Sequence, residues 1–258
     1  MRRLIVNADD FGMTDRVTAG IVEAINNGIV TSTTAMMCVE GSLERVNQWH
    51  HHVPGRVGLH LQLTDGKPCC DPETIPTLVG ENGRFPRKLR KPHLLDVDEV
   101  RREWMAQMER FQSLGIEPTH IDTHHNVHKK HPKILDVYSA IAQQYRTRAR
   151  SGNDWLAQKL RHDGVACPDY TTSRWYGRPV TADQFIKLAK KAFQKIGSKG
   201  TIELGCHPGF VDESLGQISS YVEEREIELR ILCDPEISER LSSLDIHVVP
   251  MTDLLTPL

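Results

Sequence analysis

The side chains of this 258-residue chain best suited to chemistry are two adjacent carboxylates, Asp9 and Asp10, and a scatter of histidines that includes His60, His120, His124, His125, His128 and His207. Two neighbouring carboxylates at the end of an apolar run repel each other and resist losing water unless a cation or hydrogen bonds compensate them. A bound metal ion is one compensator; in the other reading one aspartate caps the next helix and its neighbour faces solvent. The run His120-Ile121-Asp122-Thr123-His124 alternates polar with apolar, so an extended backbone sends His120, Asp122 and His124 to one face. Alternation likewise puts His60 and Gln62 on one face; a lone strand histidine is ordinarily a hydrogen-bonded core residue, and only coincidence with the other clusters raises His60 above that. His207, placed by the turn His207-Pro208-Gly209, suits a proton donor because imidazole titrates near neutrality, unless it is simply a turn residue. His124 and His128 stand four apart, so a helical continuation would offer His128 as a further ligand or a substrate contact.

Each cluster falls at or just past the end of an element that must position it. Leu4 to Ala8 reads as a buried strand running into Asp9-Asp10, followed by a helix capped at Thr14/Asp15 and closing at Asn27-Gly28. Further strands are expected over Thr31 to Cys38, Val57 to Leu63, Thr119 to His124, Arg146 to Arg150, Thr201 to Cys206 and Ile246 to Val249. Helical period covers Asp96 to Leu114, Pro132 to Tyr145, Asp154 to Leu160, Thr181 to Ile196 and Ile218 to Leu232. The proline- and glycine-rich stretch from Asp65 to Pro92 predicts a long loop beside a site, and Val165 to Arg178 reads as irregular. Strands and helices that alternate in about seven βα units predict a single domain, residues 1–258, built as an irregular or incomplete (β/α) barrel. In such a barrel the strand ends carrying Asp9-Asp10, His60, His124 and His207 converge at one mouth.

Composition narrows the function classes. A net charge of −2 and a pI near 6.7 provide no basic field for a phosphate backbone, which argues against nucleic acid as a partner. The N-terminal apolar run stops at Asn7, too short for a signal peptide, and no apolar stretch approaches the roughly 20 residues of a membrane helix. A soluble cytoplasmic protein is expected, with Cys38, Cys69, Cys70, Cys167, Cys206 and Cys233 as reduced thiols. The Cys69-Cys70 pair lacks the second pair that a thiolate metal site would want. Trp175-Tyr176-Gly177 offers rings that either stack on a sugar or are packed beneath a loop, and His50-His51-His52 reads as a solvated helix end. A homodimer is expected only as the commonest symmetric assembly.

Together, Asn7-Ala8-Asp9-Asp10-Phe11-Gly12, Gly28-Ile29-Val30-Thr31-Ser32-Thr33-Thr34-Ala35, Gly58-Leu59-His60, the run Thr119 to His128 and Cys206-His207-Pro208-Gly209 resemble the YdjC-like carbohydrate deacetylases, a family that includes chitooligosaccharide deacetylases. The resemblance implies an irregular (β/α) barrel that holds a divalent ion, commonly Mg²⁺, on one aspartate and two histidines, here Asp10, His60 and His124. It implies Asp9 as general base and His207 as the assisting acid, with His125 and His128 at supporting or substrate-side positions. Asn126 departs from the pattern, standing where relatives often carry another histidine. On ligand chemistry alone, imidazole-rich sets suit Zn²⁺ or Co²⁺ at least as well as Mg²⁺.

The expected reaction is hydrolysis of a linear amide C–N bond, releasing acetate from an N-acetylated amino sugar or short chitooligosaccharide. Two alternatives remain at this stage. A metal-dependent phosphoesterase would use cationic clamps, for which Arg146, Arg148 and Arg150 are available. A non-catalytic sugar-binding protein would keep the barrel without the chemistry, against which the intact Asp9, Asp10, His60, His124 and His207 argue.

Overall fold

The computed structural model describes residues 1–255 apart from Arg178 and Ser198. Its first strand, β1 (Arg2–Phe11), is buried from Leu4 onward, as an apolar run with helices on the outside of a parallel sheet requires. Seven parallel strands form a path in the order β5 (Arg148–Ala149), β4 (His120–Thr123), β3 (Val57–Leu61), β2 (Ser32–Ala35), β1, β7 (Gly200–Cys206) and β6 (Tyr170–Thr172). The path curls round, so that β5 approaches β6. There, in place of a ladder, the Ala149 amide donates to Ala166 O at 3.0 Å and the Thr171 amide to Gly152 O at 2.9 Å. An eighth strand, β8 (Ile246–Val248), lies off the path on the first half of β1, pairing Arg2 with Ile246. The result is a single α/β domain with an irregular barrel wall.

The helices follow from ordinary end signals. Thr14 accepts from the Val17 amide to cap α1 (Asp15–Asn26), and Asp96 accepts from Asp98 and Glu99 to cap α3 (Val97–Gln112). The inward stripe of α3 is Val100, Trp104, Met108 and Phe111. Between them lies α2 (Ser42–Trp49), and α4 (Pro132–Gln144), α5 (Asp154–His162) and α6 (Ala182–Ile196) complete the first six. The loop expected from Asp65 to Pro92 contains only short 3₁₀ turns at Pro72–Thr74 and from Pro92 onward.

Two sequence readings are corrected. The segment Val165 to Arg178 is not irregular throughout, since Tyr170–Thr172 pairs with Ile202, Glu203 and Leu204 as β6; three residues after a proline carry too little pattern to announce a strand. Its last residue, Arg178, lies outside the described residues. The single helix expected over Ile218 to Leu232 is two, α7 (Leu215–Ile218) and α8 (Glu223–Cys233), because Ser219 is extended and breaks the run. A further helix, α9 (Pro235–Ser242), capped by Asp234, leads into β8.

Candidate active site

Strand register explains how distant residues meet. His60 and Asp122 are direct partners across β3 and β4, so both side chains rise from one face. Asp122 Oδ1 lies 2.5 Å from His60 Nδ1, and Thr34 Oγ1 donates to Asp122 Oδ2 at 3.1 Å. Held this way at Nδ1, His60 turns Nε2 towards Asp10 Oδ1, 3.7 Å away. His124, which follows β4, brings Nδ1 to 3.5 Å from the same Asp10 oxygen and 3.3 Å from His60 Nε2. Its other nitrogen faces Asp65 Oδ2 at 3.4 Å.

Asp10 Oδ1 is buried and accepts no hydrogen bond, while Oδ2 is held by Arg225 at 2.7 Å. An orphan carboxylate oxygen facing two imidazole nitrogens is a donor set for a divalent cation, and each imidazole is backed by a carboxylate on its far side. Charge points the same way. The buried carboxylates of Asp9, Asp10, Asp122 and Glu203 outnumber the guanidinium groups of Arg150 and Arg225 that face them, a surplus of negative charge that favours a further cation. Burial opposes ionisation of Asp10, yet Arg225 and then His124 hold it well below the usual carboxylate range. Burial likewise works against a charged His124, but the neighbouring carboxylates of Asp10 and Asp65 override it and push the imidazole up to about 9. That proton marks where a cation would sit, and metal binding would release it.

Asp9, one residue earlier, is engaged differently. Arg150 grips it with two bonds, Nη1 to Oδ2 at 2.8 Å and Nη2 to Oδ1 at 2.7 Å, and Asn7 donates to Oδ1 at 3.0 Å. Burial works against the charge, but the guanidinium outweighs it and keeps Asp9 ionised far below the ordinary range. Arg150 is itself fully buried and also meets Asp122 at 2.9 Å and Glu203 at 2.7 Å, so one cation ties β1, β4 and β7 together. His207 follows β7 with Nε2 3.8 Å from Asp9 Oδ2, and burial pushes it down to about 4. Its amide donates to Glu228, which also takes the Tyr221 hydroxyl proton in hydrogen bonding. The turn it occupies can seat against α1 only because position 20 is glycine: a Cβ there would lie 2.5 Å from the Phe210 nitrogen.

Asp9, Asp10, His60, His124 and His207 therefore meet at one mouth. His128 does not join them, and His125 groups with His124 and Asp65 rather than with Asp10 and His60. His125 and Asn126 are both left-handed (φ 53° and 52°), which breaks the helical continuation that would have placed His128 beneath His124. His128 is buried elsewhere, bonded to Thr123 and Ser151 O and stacked on Tyr138 at 4.6 Å. The ring of His125 stacks on His124 at 3.9 Å, its Nδ1 3.0 Å from Thr64 Oγ1. His120 bonds Asn7 through Nε2 at 3.0 Å and is pushed down to about 4 by burial. Trp175 and Tyr176 separate: Trp175 is buried, donating to Thr181 O, while Tyr176 stands exposed.

Sequence reasoning missed Asp65, Arg225, Glu203, Glu228 and Tyr221. It offered Arg150 only as a phosphate clamp, which its three carboxylate partners exclude. Arg148 is spoken for by Leu254 O and Thr252 O, and Arg146 is exposed. A second donor cluster brings Cys38 Sγ within 4.0 Å of Cys69 Sγ beside Glu103, so Cys69 does have a thiol neighbour. There the Glu103 carboxylate accepts the Cys69 and Cys70 amides and anchors the long loop to α3. No helix among the described residues is long and apolar enough to cross a membrane.

The YdjC-like family model matches residues 3–243. Similar curated proteins include carbohydrate deacetylases of Geobacillus stearothermophilus, 38% identical over 96% of each chain, and of Vibrio campbellii, 34% identical over 98% of this chain and 96% of that one. Among solved structures, a protein of Enterococcus faecalis, provisionally described as a cellobiose-phosphate cleavage protein, superposes with a TM-score of 0.87 at 34% identity, covering 97% of both chains. A lactam utilization protein of Thermus thermophilus, at 14% identity and a TM-score of 0.52, shares the fold.

Proposed function

The chain belongs to the YdjC-like family, and from that membership and the geometry of the mouth we propose that it is a metal-dependent carbohydrate deacetylase acting on N-acetylated amino sugars or short chitooligosaccharides. The observation that carries the reading is the buried, unpartnered Asp10 Oδ1 facing His60 Nε2 and His124 Nδ1, with an ionised Asp9 one residue away. Asp10, His60 and His124 would hold the ion, Mg²⁺ by family resemblance, with Zn²⁺ or Co²⁺ compatible with the same donors. When bound, the ion supplies Lewis acidity to a water molecule and to the acetamide oxygen.

Arg150 keeps Asp9 ionised but makes it a weak base, so Asp9 depends on a water already made acidic. Asp9 takes the proton as the water oxygen bonds to the acetamide carbon. His207, uncharged at rest, lies 3.8 Å from Asp9 and can pass a proton on to the departing amine nitrogen when the C–N bond breaks. Acetate and a free amino sugar result. Six free thiols fit a reducing compartment, and the cytoplasm is where we place the reaction.

The test is acetate release from N,N'-diacetylchitobiose by metal-stripped protein resupplied with Mg²⁺, Zn²⁺, Co²⁺ or Mn²⁺. Release that requires metal and falls about 10²- to 10⁴-fold in Asp9→Asn, with metal binding retained, supports the assignment. No release with any metal or acetylated sugar overturns it.

A further inference from the structure

The β6 to α6 connection carries an aromatic ring that the deacetylase reading does not yet use. Tyr176 is 53% exposed, although it stands within a tightly organised cluster. One face of its ring stacks on Tyr221 at 4.2 Å, with the planes 20° apart, and the ring meets that of His207 at 5.2 Å with the planes 71° apart. Tyr221 is buried and fixed from both sides, donating to Glu228 and accepting from the Gly177 amide. The Tyr176 hydroxyl is engaged by Ser220. An exposed ring with this many restraints presents its free side in one orientation and loses little freedom on binding.

The position of the ring decides what it can touch. His207 contacts both Tyr176 and the Asp9 carboxylate, with Nε2 3.8 Å from Asp9 Oδ2 and its ring steeply inclined to that of Tyr176. A sugar whose acetamide nitrogen is served by His207 occupies the Asp9 side, so Tyr176 flanks whatever extends beyond that sugar. An exposed aromatic face fits the apolar C–H face of a pyranose, with the ring hydroxyls left in water. A second exposed ring, Trp155 in the first turn of α5, lies on the same C-terminal side of the barrel.

We propose that Tyr176 is the platform for the sugar ring adjacent to the one that loses its acetyl group, which makes it a specificity residue for oligosaccharides over monosaccharides. The proposal rests on the deacetylase reading for its choice of sugar. Tyr221 and Glu228 are positioning residues that hold the platform and His207 in one frame.

Two measurements test it. In steady-state acetate release, Tyr176→Ala raises KM for N,N'-diacetylchitobiose about tenfold with little change in kcat, and the preference for the disaccharide over N-acetylglucosamine, a ratio of kcat/KM values, shrinks by about the same factor. Tyr176→Phe keeps the preference, because stacking needs the ring and not the hydroxyl. Loss of kcat with an unchanged preference would instead mean that the ring only supports His207. Calorimetric titration of N,N'-diacetylchitobiose into both proteins does not depend on turnover: about tenfold weaker binding to Tyr176→Ala supports the platform even if no acetate is released, a result that would sink the deacetylase reading alone. Equal affinities, or no binding to either protein, overturn the platform.

Discussion

The two sides of the barrel mouth are built on opposite principles. On the β1 to β4 side, the candidate metal donors stand at strand ends with carboxylate backing of their own, Asp122 behind His60 and Asp65 behind His124. From the β5 to β8 half of the chain come cations and rings: Arg150 after β5, His207 after β7, Tyr221 just before α8 and Arg225 within it, with Tyr176 at the edge. Donor identity is thus local, whereas donor state is remote. Asp9 is ionised by an arginine 141 residues away and Asp10 by one 215 residues away. The chemistry written at one end of the chain becomes usable only when the other end has folded onto it.

Removing the cation that joins the sides breaks the comparison most severely. Arg150→Met leaves Asp9, Asp122 and Glu203 buried without their partner and is expected to cost about 3–5 kcal/mol in urea unfolding. Next comes acid sensitivity. His120 is neutral in the folded protein down to about 4 but takes up a proton near 6.5 once unfolded, so the unfolded state binds more protons across that window. Stability contributed at neutral pH therefore falls as pH drops from about 6.5 to about 4, by up to about 3 kcal/mol for this group. In His120→Gln the slope of stability against pH should flatten in that range; an unchanged slope would assign the effect elsewhere. Within the donor side, Asp122→Asn is expected to weaken metal binding toward the upper end of a roughly 10- to 100-fold range, and Asp65→Asn, on a partly exposed residue, toward its lower end, both read by competition with a chromogenic chelator. The smallest effect separates packing from chemistry: His128→Ala loses about 1–3 kcal/mol of stability by leaving Thr123 and Ser151 O without their partner, yet keeps its metal affinity.

The same asymmetry explains what the sequence made legible. Alternation in His120 to His124 told which side chains share a face, and the observed register of His60 with Asp122 agrees. The strand-end histidines and aspartates could be found because such groups are out of place in apolar runs. Arg225 could not, since Glu-Glu-Arg-Glu inside a helix reads as a solvated face, and its burial depends on how α8 docks over Asp10. Arg150 left a faint signal, an arginine just past a short strand, but its partners come from three strands that no local pattern connects. The separation of His128 from His124 turned on two left-handed residues, one of them not glycine or asparagine, that nothing in the spacing announces. Six of the seven curled strands were foreseen from the βα rhythm; β6 was not, and β8, foreseen as a strand, lies off the path on β1.

One irregularity in β1 decides whether the centre exists at all. In an unbroken strand, consecutive side chains leave on opposite sides, and Asp9 and Asp10 could never serve one reaction. The register shift between Ala8 and Phe11, with Asp10 at φ 75°, turns both carboxylates inward. A left-handed backbone favours glycine, so at this position the chain's folding preference and its chemistry ask for different residues. Glycine would relax the turn and leave Arg225 without its carboxylate. The aspartate is a locally frustrated choice, kept in place by what surrounds it rather than by its own conformational comfort.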